Sequence, residues 1–371
     1  MTQSLFNGLL IFGIVQACLF VGLLISKRKR ITADWVLSAC LFLFAVHSLL
    51  ILVIQNAGLH TAMHVLPVNL TLLYGPFLLL YIHVLCPHTI VSKRKFFWHF
   101  LPFPIFLTLT LCLSDKQLFV QALALSGAFS GLLYCLLALS KLKRHKNYIV
   151  HSFSSTKGLS LNWISMLVKG IVTIWLVVLL LVVASRIFQT AIPLHWFFIA
   201  IPTFITYIGY NGLKQQIAWS AHAVEYPFES GVEHISSNEE QLLNRENEGY
   251  KKSGLQKQDL ENIYALLERA MNNDKLFLEP NLSLQALAVQ INTPQHHITQ
   301  TLNRYARQNF YDYVNTYRVN LFIEKLKSDC SNNYSLLGIA LDCGFNSKSS
   351  FNRIFKKTTG HSPSAYKKKL C

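Results

Sequence analysis

Two stretches near the C-terminal end carry one pattern: LSLQALAVQINTPQHHITQTLNRY (Leu282 to Tyr305) and YSLLGIALDCGFNSKSSFNRIFKK (Tyr334 to Lys357). Their small and apolar positions align. Ala288 leads to Leu302 and then Tyr313 at spacings of 14 and 11, and Ala340 leads to Phe355 and then Tyr366 at 15 and 11. A repeat of about 53 residues with such matched spacing implies two copies of one helical unit.

Each copy reads as a helix, a break and a second helix. The first, about 282–306, opens at Ser283 as an N-cap, with Leu284, Leu287, Ala288 and Ile291 on the apolar face. Asn292-Thr293-Pro294 breaks it, and Pro294 suits the first turn of the next helix. That helix buries Ile298 and Leu302 and turns Gln295, His296, Thr299, Gln300 and Asn303 outward. An amphipathic helix from Phe310 to about Lys327 follows and sets the distance between the copies, with Asp329 to Asn333 as the break. The second copy, about 334–358, opens at Ser335 and turns at Gly344, where a helix end needs a positive φ. Its last helix buries Phe351, Ile354 and Phe355, leaving Lys348, Ser349, Asn352, Arg353, Lys356 and Lys357 outward.

The rest of the chain is of another kind. The 371 residues are 52% hydrophobic and 14% charged, with a mean hydropathy of +0.33, the balance of a polytopic membrane protein with a soluble part attached. Apolar runs at about 5–25, 35–54, 66–85, 97–113, 118–139, 164–185 and 195–213 each approach the length needed to cross ~30 Å of hydrocarbon. Basic residues gather in the first, third and fifth connections: Lys27 to Arg30, Lys93 to Lys95, and Lys141 to Lys157. The positive-inside rule then puts the N-terminus outside and the tail in the cytoplasm, which requires an odd number of spans. The first run lacks a basic n-region and a small-residue cleavage site, so it is not a signal peptide.

The net charge of +16 is mostly topology, since residues 1–213 contribute +13 and residues 214–371 only +3. Within the tail, residues 300–371 hold 12 Lys and Arg against four acids, and this basic end is the candidate nucleic-acid surface. Gln16, His47, Asn69, His83 and Asn211 sit in the spans and read as hydrogen-bonding glue between helices. The eight cysteines and scattered histidines lack metal-site spacing, and no catalytic constellation is found. Neither a metal, a cofactor nor enzymatic activity is expected.

Residues 214–257 are polar and acidic, and read as a mobile linker. Leu260, Ile263, Tyr264, Leu267 and Met271 then mark one amphipathic helix that packs on the tail.

The stretch 282–367 resembles the AraC/XylS-type transcription regulators. GFNSKSSFNRIFKKTTGHSPSAY (Gly344 to Tyr366) follows that family's second-unit signature: a Gly-Phe, a Ser-rich start, Phe-x-Arg-x-Phe-Lys-Lys, and Gly-x-x-Pro-x-x-Tyr. NFYDYVNTYRV fits its linker helix, with Arg318 at the family's arginine. The first unit departs from the usual pattern: Pro294 replaces the common Ser cap, and Gln308 stands where glycine or lysine is frequent. Residues 1–213 loosely resemble the seven-span sensor halves fused to such modules.

The resemblance implies an all-α chain: a seven-helix transmembrane bundle (1–213), the linker (214–257), and a cytoplasmic module (258–371) of two helix-turn-helix units joined by a long helix. It implies two reading helices in successive major grooves about one turn (~34 Å) apart. Arg353 and Lys348 suit guanine edges or phosphates, Asn352 and Gln300 suit adenine or backbone, and Lys356 and Lys357 suit phosphates. The implied partners are double-stranded promoter DNA, the lipid bilayer and a signal ligand of unidentified chemistry, with RNA polymerase and a second copy of the chain as further partners. The implied location is a bacterial inner membrane. An alternative is a membrane receptor whose basic tail binds a protein instead of DNA.

Overall fold

The computed structural model describes residues 3–28, 30–57, 65–86, 96–112, 116–188, 200–225, 255–328 and 335–370. These residues are helical, and no strand occurs among them beyond one isolated bridge between Phe153 and Ser283. The chain divides into two compact units: Met1–Lys143 with Leu161–Ser236, and Arg144–Ser160 with Ser237–Cys371.

In the first unit α1 (Gln3–Ile25), α2 (Thr32–Asn56) and α3 (Val65–Leu85) are followed by α4 (Pro102–Cys112), α5 (Lys116–Ser152, whose last residues from Arg144 belong to the second unit), α6 (Asn162–Phe188) and α7 (Ala200–Glu225). Pro102 takes the first helical position, where its missing N–H costs nothing. Ala17, Leu24, Leu37, Leu41, Ile82, Ile164 and Ile205 meet in one buried cluster. The outer faces are apolar too: Ile11, Phe12, Val15 and Leu19 on α1, and Phe42, Leu49 and Val53 on α2, are all exposed. Three helices among the described residues (Gln3–Ile25, Thr32–Asn56 and Leu66–Leu85) are long and apolar enough to cross a membrane. The described residues of the remaining apolar runs also fall mainly on helices. Gln16 ties α1 to α7 by donating to the Thr206 hydroxyl at 3.0 Å, whereas Asn211 donates to Tyr207 O of its own helix at 2.9 Å. Sequence reading placed a linker from residue 214, but α7 runs on to Glu225.

In the second unit α8 (Lys257–Asn272) precedes a 3₁₀ turn (Leu276–Leu278). Then come α9 (Leu284–Gln290), α10 (Gln295–Arg304), the joining helix α11 (Phe310–Ser328), α12 (Leu336–Asp342), α13 (Lys348–Thr359) and α14 (Pro363–Leu370). The expected break at Asp329 to Asn333 lies outside the described residues.

Serine hydroxyls cap three of these helices. Ser283 Oγ accepts from Ala286 N at 3.1 Å, Ser335 Oγ from Gly338 N at 3.0 Å, and Ser347 Oγ from Ser350 N at 3.2 Å. The repeat extends to the backbone of the turns. In the first unit Asn292 N bonds Val289 O at 3.2 Å and Thr293 N bonds Ala288 O at 2.9 Å; in the second, Gly344 N bonds Leu341 O at 3.0 Å and Phe345 N bonds Ala340 O at 3.1 Å. Asn292 (φ 48°) and Gly344 (φ 88°) both take the left-handed conformation that ends a helix this way. Gly344 has a second reason: a Cβ there would lie 2.5 Å from the Phe277 carbonyl oxygen.

Two apolar clusters result. Ile263, Leu267, Met271, Leu287, Ile298, Leu302 and Phe310 form the first, so α8 packs on the first helix-turn-helix as its periodicity predicts. Phe322, Ile339, Ala340, Phe345, Phe351, Ile354 and Phe355 form the second. The joining helix α11 serves both, because its turns present Phe310 and Val314 to one and Val319, Phe322 and Leu326 to the other.

Candidate nucleic-acid interface

On α13 the inward stripe Phe351, Ile354 and Phe355 fixes what the other faces can do. Lys348, Ser349, Asn352 and Lys356 are exposed along one side of the helix, at the spacing that places them on adjoining turns. This is the open stripe: two ammonium groups, a hydroxyl and a carboxamide.

The neighbouring stripe is occupied. Arg353 donates to the Tyr311 hydroxyl at 2.9 Å and lies over that ring with its guanidinium carbon 5.9 Å from the centroid. Lys357 Nζ meets Asp312 Oδ1 at 2.6 Å. Arg353 and Lys357 are exposed, as their expected outward place requires, and their head groups rest on the first turn of α11. The pair involving Lys357 is solvated, and such pairs are worth ~0.2–1 kcal/mol, so a phosphate competes with Asp312 at little cost.

On α10 the expected outward set divides. Gln295 and His296 are exposed, Thr299 and Asn303 are half-buried, and the Thr299 hydroxyl donates to Gln295 O at 3.0 Å. Gln300 is 3% exposed, which corrects its expected outward position. Burial, with His297 beside it, pushes the His296 pKa below the usual imidazole value. The first unit therefore offers neutral hydrogen-bonding groups, and the second offers most of the charge.

Arg318 lies on the helix that joins the two helix-turn-helix copies and is 1% exposed. Its Nε donates to Phe277 O at 2.7 Å, Nη2 to Glu279 O at 2.6 Å and Ser154 Oγ at 3.2 Å, and Nη1 to Asn315 Oδ1 at 3.2 Å and Ser154 O at 3.3 Å. All five N–H bonds of the fork find acceptors. Burial pulls its pKa down to about 10, opposed by Tyr311 and Glu279, so the group stays charged at neutral pH. Asn315 Nδ2 donates to Tyr311 O at 2.7 Å and to Ser154 O at 3.0 Å. Sequence reading placed Arg318 in the joining helix but gave no sign of this network, because its acceptors come from two distant stretches.

Ser154 belongs to Arg144–Ser160, a stretch read from its charge as a basic connection. Its neighbours make further contacts. Ser155 Oγ accepts from Asn346 Nδ2 at 2.8 Å, Lys157 Nζ donates to Asn346 O at 3.0 Å, and Thr156 Oγ1 accepts from Arg353 Nη2 at 3.4 Å. Within the stretch, buried His145 Nε2 pairs with Leu159 O at 3.1 Å. Burial pushes the His145 pKa below the usual range, against the smaller opposing effect of that hydrogen bond.

The family of helix-turn-helix domains matches residues 287–369, which takes in both units and the joining helix. The match supports an AraC-type helix-turn-helix domain, of the DNA-binding regulator kind, over these residues. Neither a curated protein nor a solved structure matches the chain.

Proposed function

We propose that the chain is a membrane-anchored one-component transcription regulator. It reads promoter DNA through α10 and α13 and takes its signal from the helical half. The observation that carries the DNA reading is the open stripe Lys348, Ser349, Asn352 and Lys356 on the second helix of an AraC-type unit. A carboxamide flanked by ammonium groups suits an adenine edge between phosphates. Anchoring is supported by three long apolar helices, two of which (α1 and α2) also have apolar outer faces, since a helix apolar all round belongs in a bilayer or a large core. The basic connections support a seven-span bundle with the N-terminus outside and the module in the cytoplasm of a bacterial inner membrane.

Two results test this reading. Asn352→Ala in the full chain is expected to weaken binding to a genomically selected duplex by ~1–3 kcal/mol and to relax sequence preference at one position. Equal affinity and unchanged preference would remove Asn352 from the reading face. A reporter fused after Lys214 is expected to be active only in its cytoplasmic form, and a periplasmic readout would overturn the seven-span topology.

A further inference from the structure

The stretch Phe153 to Lys157 reaches four parts of the DNA-binding unit. Phe153 bridges Ser283, the N-cap of α9, and Ser154 N donates to Leu282 O at 3.0 Å. Ser154 is itself 1% exposed and supplies two of the five acceptors around Arg318 of the joining helix. Ser155 and Lys157 hold Asn346, the residue before the N-cap of α13, and Thr156 takes a hydrogen bond from Arg353.

The location matters because the N-terminal end of a reading helix is the end that contacts base edges. Here that end is flanked by Ser155 and Lys157, and Arg353, the guanidinium on α13, is folded back onto Thr156 and Tyr311. Groups that DNA would use are engaged by the chain itself.

The chemistry of the contact favours release. Ser155, Thr156 and Lys157 bring polar groups at half-buried or exposed positions, so water or phosphate oxygens can replace their hydrogen bonds as they break. The Ser154 contacts to Arg318 are the cost that keeps the stretch in place. Just before the stretch, Val150 packs against the second apolar cluster. Both flanks continue directly into helices: Ser154 lies two residues past the end of α5 at Ser152 and eight before α6 begins at Asn162.

Resting on the DNA-binding reading above, we infer that residues 153–157 are an intramolecular latch that competes with duplex DNA for Arg353 and the N-terminal end of α13. A shift between α5 and α6 withdraws the latch, and DNA binding in turn favours the withdrawn state, because the coupling is reciprocal.

The test compares the full chain in detergent micelles with its Ser155→Ala, Thr156→Ala, Lys157→Ala triple variant, which keeps Ser154. The probe is a duplex selected from a randomised library with that variant. The variant is expected to bind on the order of 5- to 150-fold tighter, the usual span of an allosteric coupling. Equal or weaker binding by the variant overturns the latch while leaving DNA binding in place. Amide exchange of the unmodified chain is a second measurement that needs no substitution. Protection of the Ser154 N–H is expected to fall when saturating duplex is added, and protection that persists overturns the latch. If neither chain retains any duplex, the DNA-binding reading fails and the latch fails with it.

Discussion

Arg318→Met is expected to cost the second unit roughly 3–5 kcal/mol of local stability, read as lost amide-exchange protection in α11. Two effects oppose each other. Removing the guanidinium relieves the cost of holding a charge out of water, which is several kcal/mol. Against this, the carbonyls of Phe277, Glu279 and Ser154 and the Asn315 amide oxygen all lose a donor inside the unit. Each unsatisfied buried acceptor costs about 1–3 kcal/mol. Two of them, Phe277 O at 2.7 Å and Glu279 O at 2.6 Å, hold the turn before α9 against α11, so the loss reaches both helix-turn-helix units. Arg318→Lys is expected to lie between, because an ammonium has three donors and cannot fork. A loss under ~1 kcal/mol for the Met variant would mean that water takes over the carbonyls, and that Arg318 does not join the units.

Phe355→Ala is the second large effect, at about 3–5 kcal/mol for an aromatic ring deleted from a core. The side chain is 0% exposed and stands edge-on to Phe322 and Tyr366, with ring centroids 5.3 Å and 5.4 Å away. The void falls where α13 and α14 meet α11, so the reading helix loses its anchor. Because the two apolar clusters are separate, exchange protection is expected to collapse in α12 to α14 and to persist in α9 and α10. Uniform loss across both units would show a single cooperative core instead. DNA affinity is expected to fall with the loss of α13, even though Phe355 faces away from the open stripe.

The contrast between Phe355 and Gln300 shows what the sequence makes legible. Phe355, Phe351 and Ile354 could be placed inside from their spacing alone, because a helix buries one stripe and the charged residues between them define the other. Ser283, Ser335 and Gly344 were legible for a similar reason: caps and left-handed turns are settled within a few residues. Gln300 was not, since its burial comes from tertiary packing that the period of its own helix does not encode. Arg353 was placed on the correct helix and near its outer side, but its partners Tyr311 and Thr156 come from 42 and 197 positions away. The described parts of the seven apolar runs are mainly helical, yet length and apolarity together single out three helices among the described residues. Residues 144–160 were the largest surprise. A short Ser-Ser-Thr tract has no period to read, and its partners exist only once the unit has folded.

That discontinuity changes what counts as a domain here. The family match begins at residue 287 and suggests a module that can be excised at the acidic stretch before it. The folded unit instead draws Arg144–Ser160 from the first half of the chain, with Leu161–Ser236 intervening. A protein cut at residue 237 would carry every reading residue but would leave Arg318 with two of its five acceptors missing. During synthesis the earlier stretch emerges first and waits for its complement, so the two parts close into one unit only after the whole chain is made. A gene fusion that swapped the helical half would have to carry those seventeen residues along with the tail.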